Sequence, residues 1–179
     1  DARARLEVGQ RRPRGEQHPL EVGREHAAHA LRLEAGEAGD VVLIAGVQHE
    51  DVETARVLLH AGADPNAQDA IQDSSFLYAG AQGLDDIVEL TLEHGADVTS
   101  TNRFGGTALI PASERAHLST MRILIDAGVP LDHVNRLGWT ALHEAIVLGD
   151  GGPDHLSAVH LLLDAGADVV DVGLASTDE

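Results

Sequence analysis

The chain has 179 residues, 43% of them apolar, which is material for one domain with a real core. It contains no cysteine, so disulfides, thiolate metal sites and cysteine nucleophiles are excluded. Net charge is −18, a balance that repels phosphate backbones, disfavours nucleic acid and favours basic partners. No apolar run approaches the roughly 18 residues a membrane span needs.

Residues 1–36 stand apart as an arginine-rich leader. They hold seven of the twelve basic residues, all of which are arginine, and carry +1 against −19 for the remainder. Arginine, glycine and proline break any helix before about Glu25, and a poorly ordered leader is the expectation. The chain starts at Asp1 rather than methionine, so a cytoplasmic location holds only by default and an upstream signal segment stays open.

From residue 37 onward a period takes over. Gly62-Ala63-Asp64, Gly95-Ala96-Asp97, Gly128 and Gly166-Ala167-Asp168 each close an apolar run, at intervals of 33, 33 and 38 residues. Those runs are Val57-Leu58-Leu59, Leu90-Thr91-Leu92, Ile123-Leu124-Ile125 and Leu161-Leu162-Leu163. Ala55, Val88, Met121 and Val159 lie one turn upstream, the spacing of one helical face. Each glycine falls where a left-handed residue ends a helix. The first half of each unit carries a turn and then a short helix. Asn135, Gly138, Thr140, Ala141 and Leu142 repeat as Asn102, Gly105, Thr107, Ala108 and Leu109, and in worn form as Asp69, Ser74, Phe76 and Ala79. Recurrence at such a period marks a solenoid.

Four units follow, at about 39–68, 69–100, 101–133 and 134–168, with a tail over 169–179. Predicted helix pairs are 41–47 with 52–60, 74–82 with 85–93, 107–114 with 118–126, and 140–148 with 156–164. Asp51 is the expected N-cap of the second helix. Leu43, Leu109, Leu142 and the branched triplets are expected in the core. Unit four shows no polar capping face, which predicts exposed aliphatic surface on its second helix.

At these residues the chain resembles the ankyrin-repeat family, whose signature is Thr-Pro-Leu-His-x-Ala at a period of 33. Here it reads Thr140-Ala141-Leu142-His143-Glu144-Ala145 and Thr107-Ala108-Leu109-Ile110-Pro111-Ala112. A finer similarity, through Phe104-Gly105-Gly106, Gly138-Trp139-Thr140 and Glu144 to Gly152, is to uncharacterised bacterial ankyrin-repeat proteins. The resemblance implies an all-α ankyrin-repeat solenoid of about four repeats. Three departures bear on its turns. Gln72 replaces a turn glycine, Ala116 sits where glycine is usual, and unit four carries five extra residues.

The resemblance also implies a non-catalytic protein–protein interaction module whose partner docks on hairpin tips and inner helices. Residues between the grammar positions there include Ile71 in unit two and eight candidates for partner binding: Tyr78, Arg103, Phe104, Arg115, Arg136, Leu137, Trp139 and Glu144. Three of the four aromatic residues are among them, and so are three of the five arginines outside the leader. Such residues anchor interfaces. The competing expectation is that Phe104 and Trp139 pack on neighbouring hairpins and rivet the stack. A second function is structural, a piece of a longer array that stacks or self-associates. An enzyme is the third and least favoured, because no nucleophile elbow exists and no carboxylate pair stands out.

No cofactor or metal site is expected. His60 and His94 sit at helix ends, where histidine complements the dipole, and His143 is expected to bond the adjoining turn. The insert 149–155 is expected to be a longer turn, with Pro153 opening the next helix.

Overall fold

The computed structural model describes residues 36–169. The leader expected over 1–36 and the tail over 169–179 lie, but for Gly36 and Val169, outside them. Among the described residues the chain is all-helical, with four helix pairs and no strand. The helices are α1 Gly36–Gln48, α2 Val52–Ala61, α3 Ser75–Gln82, α4 Asp85–Glu93, α5 Leu109–Glu114, α6 Leu118–Asp126, α7 Ala141–Val147 and α8 Pro153–Asp164.

Local chemistry starts and stops these helices where the sequence places the signals. Asp51 accepts from the Thr54 N–H at 3.0 Å and caps α2; Ser74 accepts from the Leu77 N–H and caps α3. Thr140 and His143 form a reciprocal capping box at the head of α7. Pro153 opens α8. Gly62, Gly95, Gly128 and Gly166 all have φ between 86 and 100°, the left-handed stop that the period implied. The largest boundary difference is at α1, which begins five residues before the expected 41; α8 begins three residues before 156 and α5 two after 107. Gly36 and Gly39 read as breakers, yet Gly39 is buried and the packed Leu43–Ile44–Val47 face holds the helix. Tertiary contact overrides the propensity of about 1 kcal/mol per glycine.

Packing follows the same register. Leu43, Phe76, Leu109 and Leu142 stand 33 residues apart and all are buried. Each such side chain contributes about 1.5–3 kcal/mol on burial. Helices α1, α3, α5 and α7 pack in sequence as an inner layer, and α2, α4, α6 and α8 as an outer one. The inner helices approach closely through small residues. A Cβ on Gly80 would lie 2.8 Å from that of Ala108 in the next unit. The branched triplets are only partly core, since Val57 and Leu163, in the two end units, are exposed. In unit four Leu156 is exposed as expected, and so are Ile146 and Val147 on its first helix and Leu148 just after it.

Neighbouring units are also tied through the backbone near their glycine stops. Asn66 accepts from the Asp97 N–H and Asp132 from the Asp168 N–H, both at 2.7 Å, and within unit one Asp40 accepts from the Asp64 N–H at 2.8 Å. Between units two and three this rung is missing, and two residues explain it together. Pro130 has no N–H to donate, and Thr99 stands where Asn66 and Asp132 accept. Thr99 instead bonds Asp97.

Candidate functional site

Each hairpin tip is built around one short polar side chain. Asp69, Asn102 and Asn135, 33 residues apart, each accept two backbone N–H groups through Oδ1. The donors are Ile71 and Asp73, Phe104 and Gly106, and Leu137 and Trp139, at 2.9–3.1 Å. The turn then needs a left-handed residue, which is Gly105 or Gly138 in units three and four and Gln72, at φ 62°, in unit two.

This geometry sets one side chain per unit on the tip, and all three are large and apolar. Ile71 is 50% exposed, Phe104 54% and Leu137 69%. They occupy the same place in the 33-residue register, so they form a row along one edge of the stack. Of the three, Ile71 was not among the eight sequence candidates, although its register with Phe104 and Leu137 is readable.

The arginines beside that row turn back into the protein. Arg136 donates its backbone N–H to the Phe104 carbonyl at 2.9 Å and its Nη1 to the Arg103 carbonyl at 2.6 Å. Arg103 reaches Asp73 of the preceding tip at 3.4 Å, and its guanidinium covers the Phe104 ring at 4.5 Å. At the far end of α5, away from the row, Arg115 donates to the Ala81 carbonyl at 2.6 Å, again one unit back. His133 adds a bond to the Gly105 carbonyl, and Gln68 one to that of Thr101. Rivets between hairpins are present, but arginine, histidine and glutamine make them rather than Phe104. Asp73 titrates above the usual carboxylate range because burial outweighs the nearby Arg103.

The inner-helix candidates divide. Tyr78 is half-buried against the core, and Trp139 is half-buried behind the unit-four tip. Glu144 was expected to face outward but is 7% exposed, and Asn135 donates to its Oε1 at 2.8 Å. Burial and the neighbouring Glu114 hold its carboxyl above the usual range, against the lowering effect of Asn135. It therefore ties the tip of unit four to α7 instead of presenting a free charge.

At the other ends of the helices, the insert of unit four is a longer turn, held by His155. Its Nδ1 donates to Asp150 at 2.8 Å and its Nε2 to the Glu114 carbonyl at 2.8 Å. Two donated bonds require both nitrogens protonated. The Glu114 carbonyl, then the Asp150 carboxylate, raise the imidazole above its ordinary range. Among the described residues, no group of three or more His, Asp or Glu side chains gathers to hold a metal. No helix among them is long and apolar enough to cross a membrane.

A family model described as ankyrin repeats in three copies matches residues 76–172, and one described as ankyrin repeat matches 39–70. Escherichia coli (strain K12) YahD, named for its ankyrin repeats, is 38% identical over 113 residues, 63% of this chain and 56% of YahD. Ankyrin repeat and SOCS box protein 6 of Homo sapiens is 34% identical over 64% of this chain and 28% of its own. The chain thus spans little more than half of the first relative and much less of the second. The crystal structure of an ankyrin repeat domain from Acinetobacter baumannii AYE is similar at TM-score 0.70 and 57% identity, covering 70% of this chain and 64% of that one. The ankyrin repeat protein EF0377 is similar at TM-score 0.71 and 36% identity, over 83% and 81%.

Proposed function

The chain belongs to the ankyrin-repeat family, and from that membership we propose that it captures a protein partner on its hairpin edge without catalysis. Ankyrin repeats are generally protein–protein interaction modules. The observation that carries the finer reading is the row of Ile71, Phe104 and Leu137. Three large apolar side chains on a fixed register, each at least half exposed, are a feature of an interaction surface. Arg103 and Arg136 tie the tips of that row, Glu144 ties the unit-four tip to α7, and Tyr78 and Trp139 lie behind it; Arg115 belongs to the opposite edge, and Ile71, Phe104 and Leu137 are the contacts proper. The tips are tied to their neighbours by hydrogen bonds, so little ordering cost falls due on binding. The acidic body favours a partner with basic groups around an apolar centre.

Affinity capture from the source organism tests this, with the wild-type chain beside an Ile71→Ala, Phe104→Ala, Leu137→Ala triple variant. The expected outcome is a partner held by the first and lost by the second, with helical circular dichroism unchanged. Equal capture by both chains would refute the row as the contact surface. A second reading, self-association or further stacking, rests on Ile146. It is 60% exposed, whereas its register equivalents Val47, Gly80 and Ser113 are buried between units. Sedimentation as a clean monomer would argue against it.

A further inference from the structure

His60 lies in the last turn of α2 and His94 follows α4, so the two belong to the outer helices of units one and two. Their ring centroids lie 5.0 Å apart with the planes inclined at 62°. In each ring Nδ1 lies 2.8 Å from the carbonyl four residues back, that of Arg56 or Leu90. A carbonyl can only accept, so Nδ1 carries the proton in both rings. In the neutral ring this sets the tautomer, with the lone pair on Nε2. Neither Nε2 has a hydrogen-bond partner among the described residues.

We propose that His60 and His94 form a two-imidazole site for a borderline transition-metal ion such as Zn2+. A bond of this kind, ring N–H to backbone carbonyl, is what orients metal-binding histidines. The separation suits the role. With Zn–N bonds of about 2.0–2.1 Å, each ring centre stands about 3.2 Å from the ion, and a tetrahedral angle puts the two centres about 5.2 Å apart. The observed 5.0 Å is within a few tenths of that. Imidazole selects zinc, copper or nickel over magnesium or calcium, which prefer oxygen. The rest of the shell is water, since no third side chain joins the pair. Residues 37–179 carry −19, a field that draws cations to the site. Bound there, the ion ties α2 to α4 and clamps unit one onto unit two. This assignment is independent of partner capture.

Calorimetric titration of the full chain with Zn2+ tests it, alongside His60→Gln, His94→Gln and, as control, the exposed His160→Gln on α8. Wild type and the control are expected to share a Zn2+ equivalent that each of the other variants weakens by at least about ten-fold, the loss that even an outer-shell change produces. Zn2+ is expected to raise the thermal midpoint of wild type, reversibly with chelator, and to leave both variants unmoved. Mg2+ is expected to do nothing. Zn2+ binding in His60→Gln and His94→Gln equal to wild type would overturn the assignment. So would no binding in wild type, which would leave the pair an edge-on aromatic contact only.

Discussion

The stack has two long edges, and they use one period for different ends. At the hairpin edge the left-handed positions are Gln72, Gly105 and Gly138; at the opposite edge, between the helices of each pair, they are Glu50, Gly83, Ala116 and Gly151. Glycine fills two of three places on the first edge and two of four on the second. Side chains differ in the same sense. The hairpin edge displays Ile71, Phe104 and Leu137, with arginines folded back as ties. The other edge joins units by packing the His117 ring on Gly83, by a Thr120–Asp85 hydrogen bond, and by the His155 clasp. Burial and the nearby Arg115 hold His117 below the usual imidazole range, against Asp85. Strained left-handed positions thus occur on both edges, Gln72 on the first and Glu50 and Ala116 on the second, while the row of large exposed apolar side chains lies on the hairpin edge.

Exchanging the turn residues breaks that contrast most sharply. Gly83→Ala combines a left-handed alanine with a Cβ 2.8 Å from the His117 ring. Its expected cost is about 2 kcal/mol or more in urea unfolding. The reverse change, Ala116→Gly at φ 52°, is expected to stabilise by about 0.5–1 kcal/mol, read the same way. Equal and small effects of both would mean that the turn edge is not strained.

Separating ties from displayed groups sharpens it next. Arg136→Ala removes the Nη1 bond to the Arg103 carbonyl and the stem packed near Gly105, for an expected loss of about 1–2 kcal/mol. Phe104→Ala, on an exposed side chain, is expected to stay within about 0.5 kcal/mol. Comparable losses for the two would make Phe104 a rivet and weaken the proposed contact row.

The smallest effect concerns pH. His155 titrates above its ordinary range in the folded chain, so its clasp is fully present below the unfolded imidazole pKa. It is lost as pH rises through the folded value. Thermal midpoints between about pH 6 and 9 are expected to fall more in wild type than in His155→Gln. Parallel curves would show that the clasp contributes nothing to folding.

Much of this was legible in advance because it is written in single-chain periodicity. The four helix pairs, the Leu43–Phe76–Leu109–Leu142 column, the glycine stops and the strained Ala116 all follow from residue type at a fixed interval. The proposed contact edge was legible only in part. Phe104 and Leu137 stand out on the tips as expected, and Ile71 belongs with them by register. Arg103, Arg115 and Arg136 matched the interface pattern equally well, yet each spends its guanidinium on the preceding unit. Glu144 occupied an outward register position and is buried all the same.

By itself the sequence determined the period, the helix ends and the buried column, since each depends on backbone preference or on apolar spacing within about one turn. Only the tertiary structure decided which polar side chains remain free. A carbonyl such as that of Arg103 or Ala81 is brought within reach of Arg136 or Arg115 by stacking units more than thirty residues apart. A long flexible side chain goes to whichever acceptor the neighbouring unit leaves unsatisfied, and no local pattern specifies that acceptor.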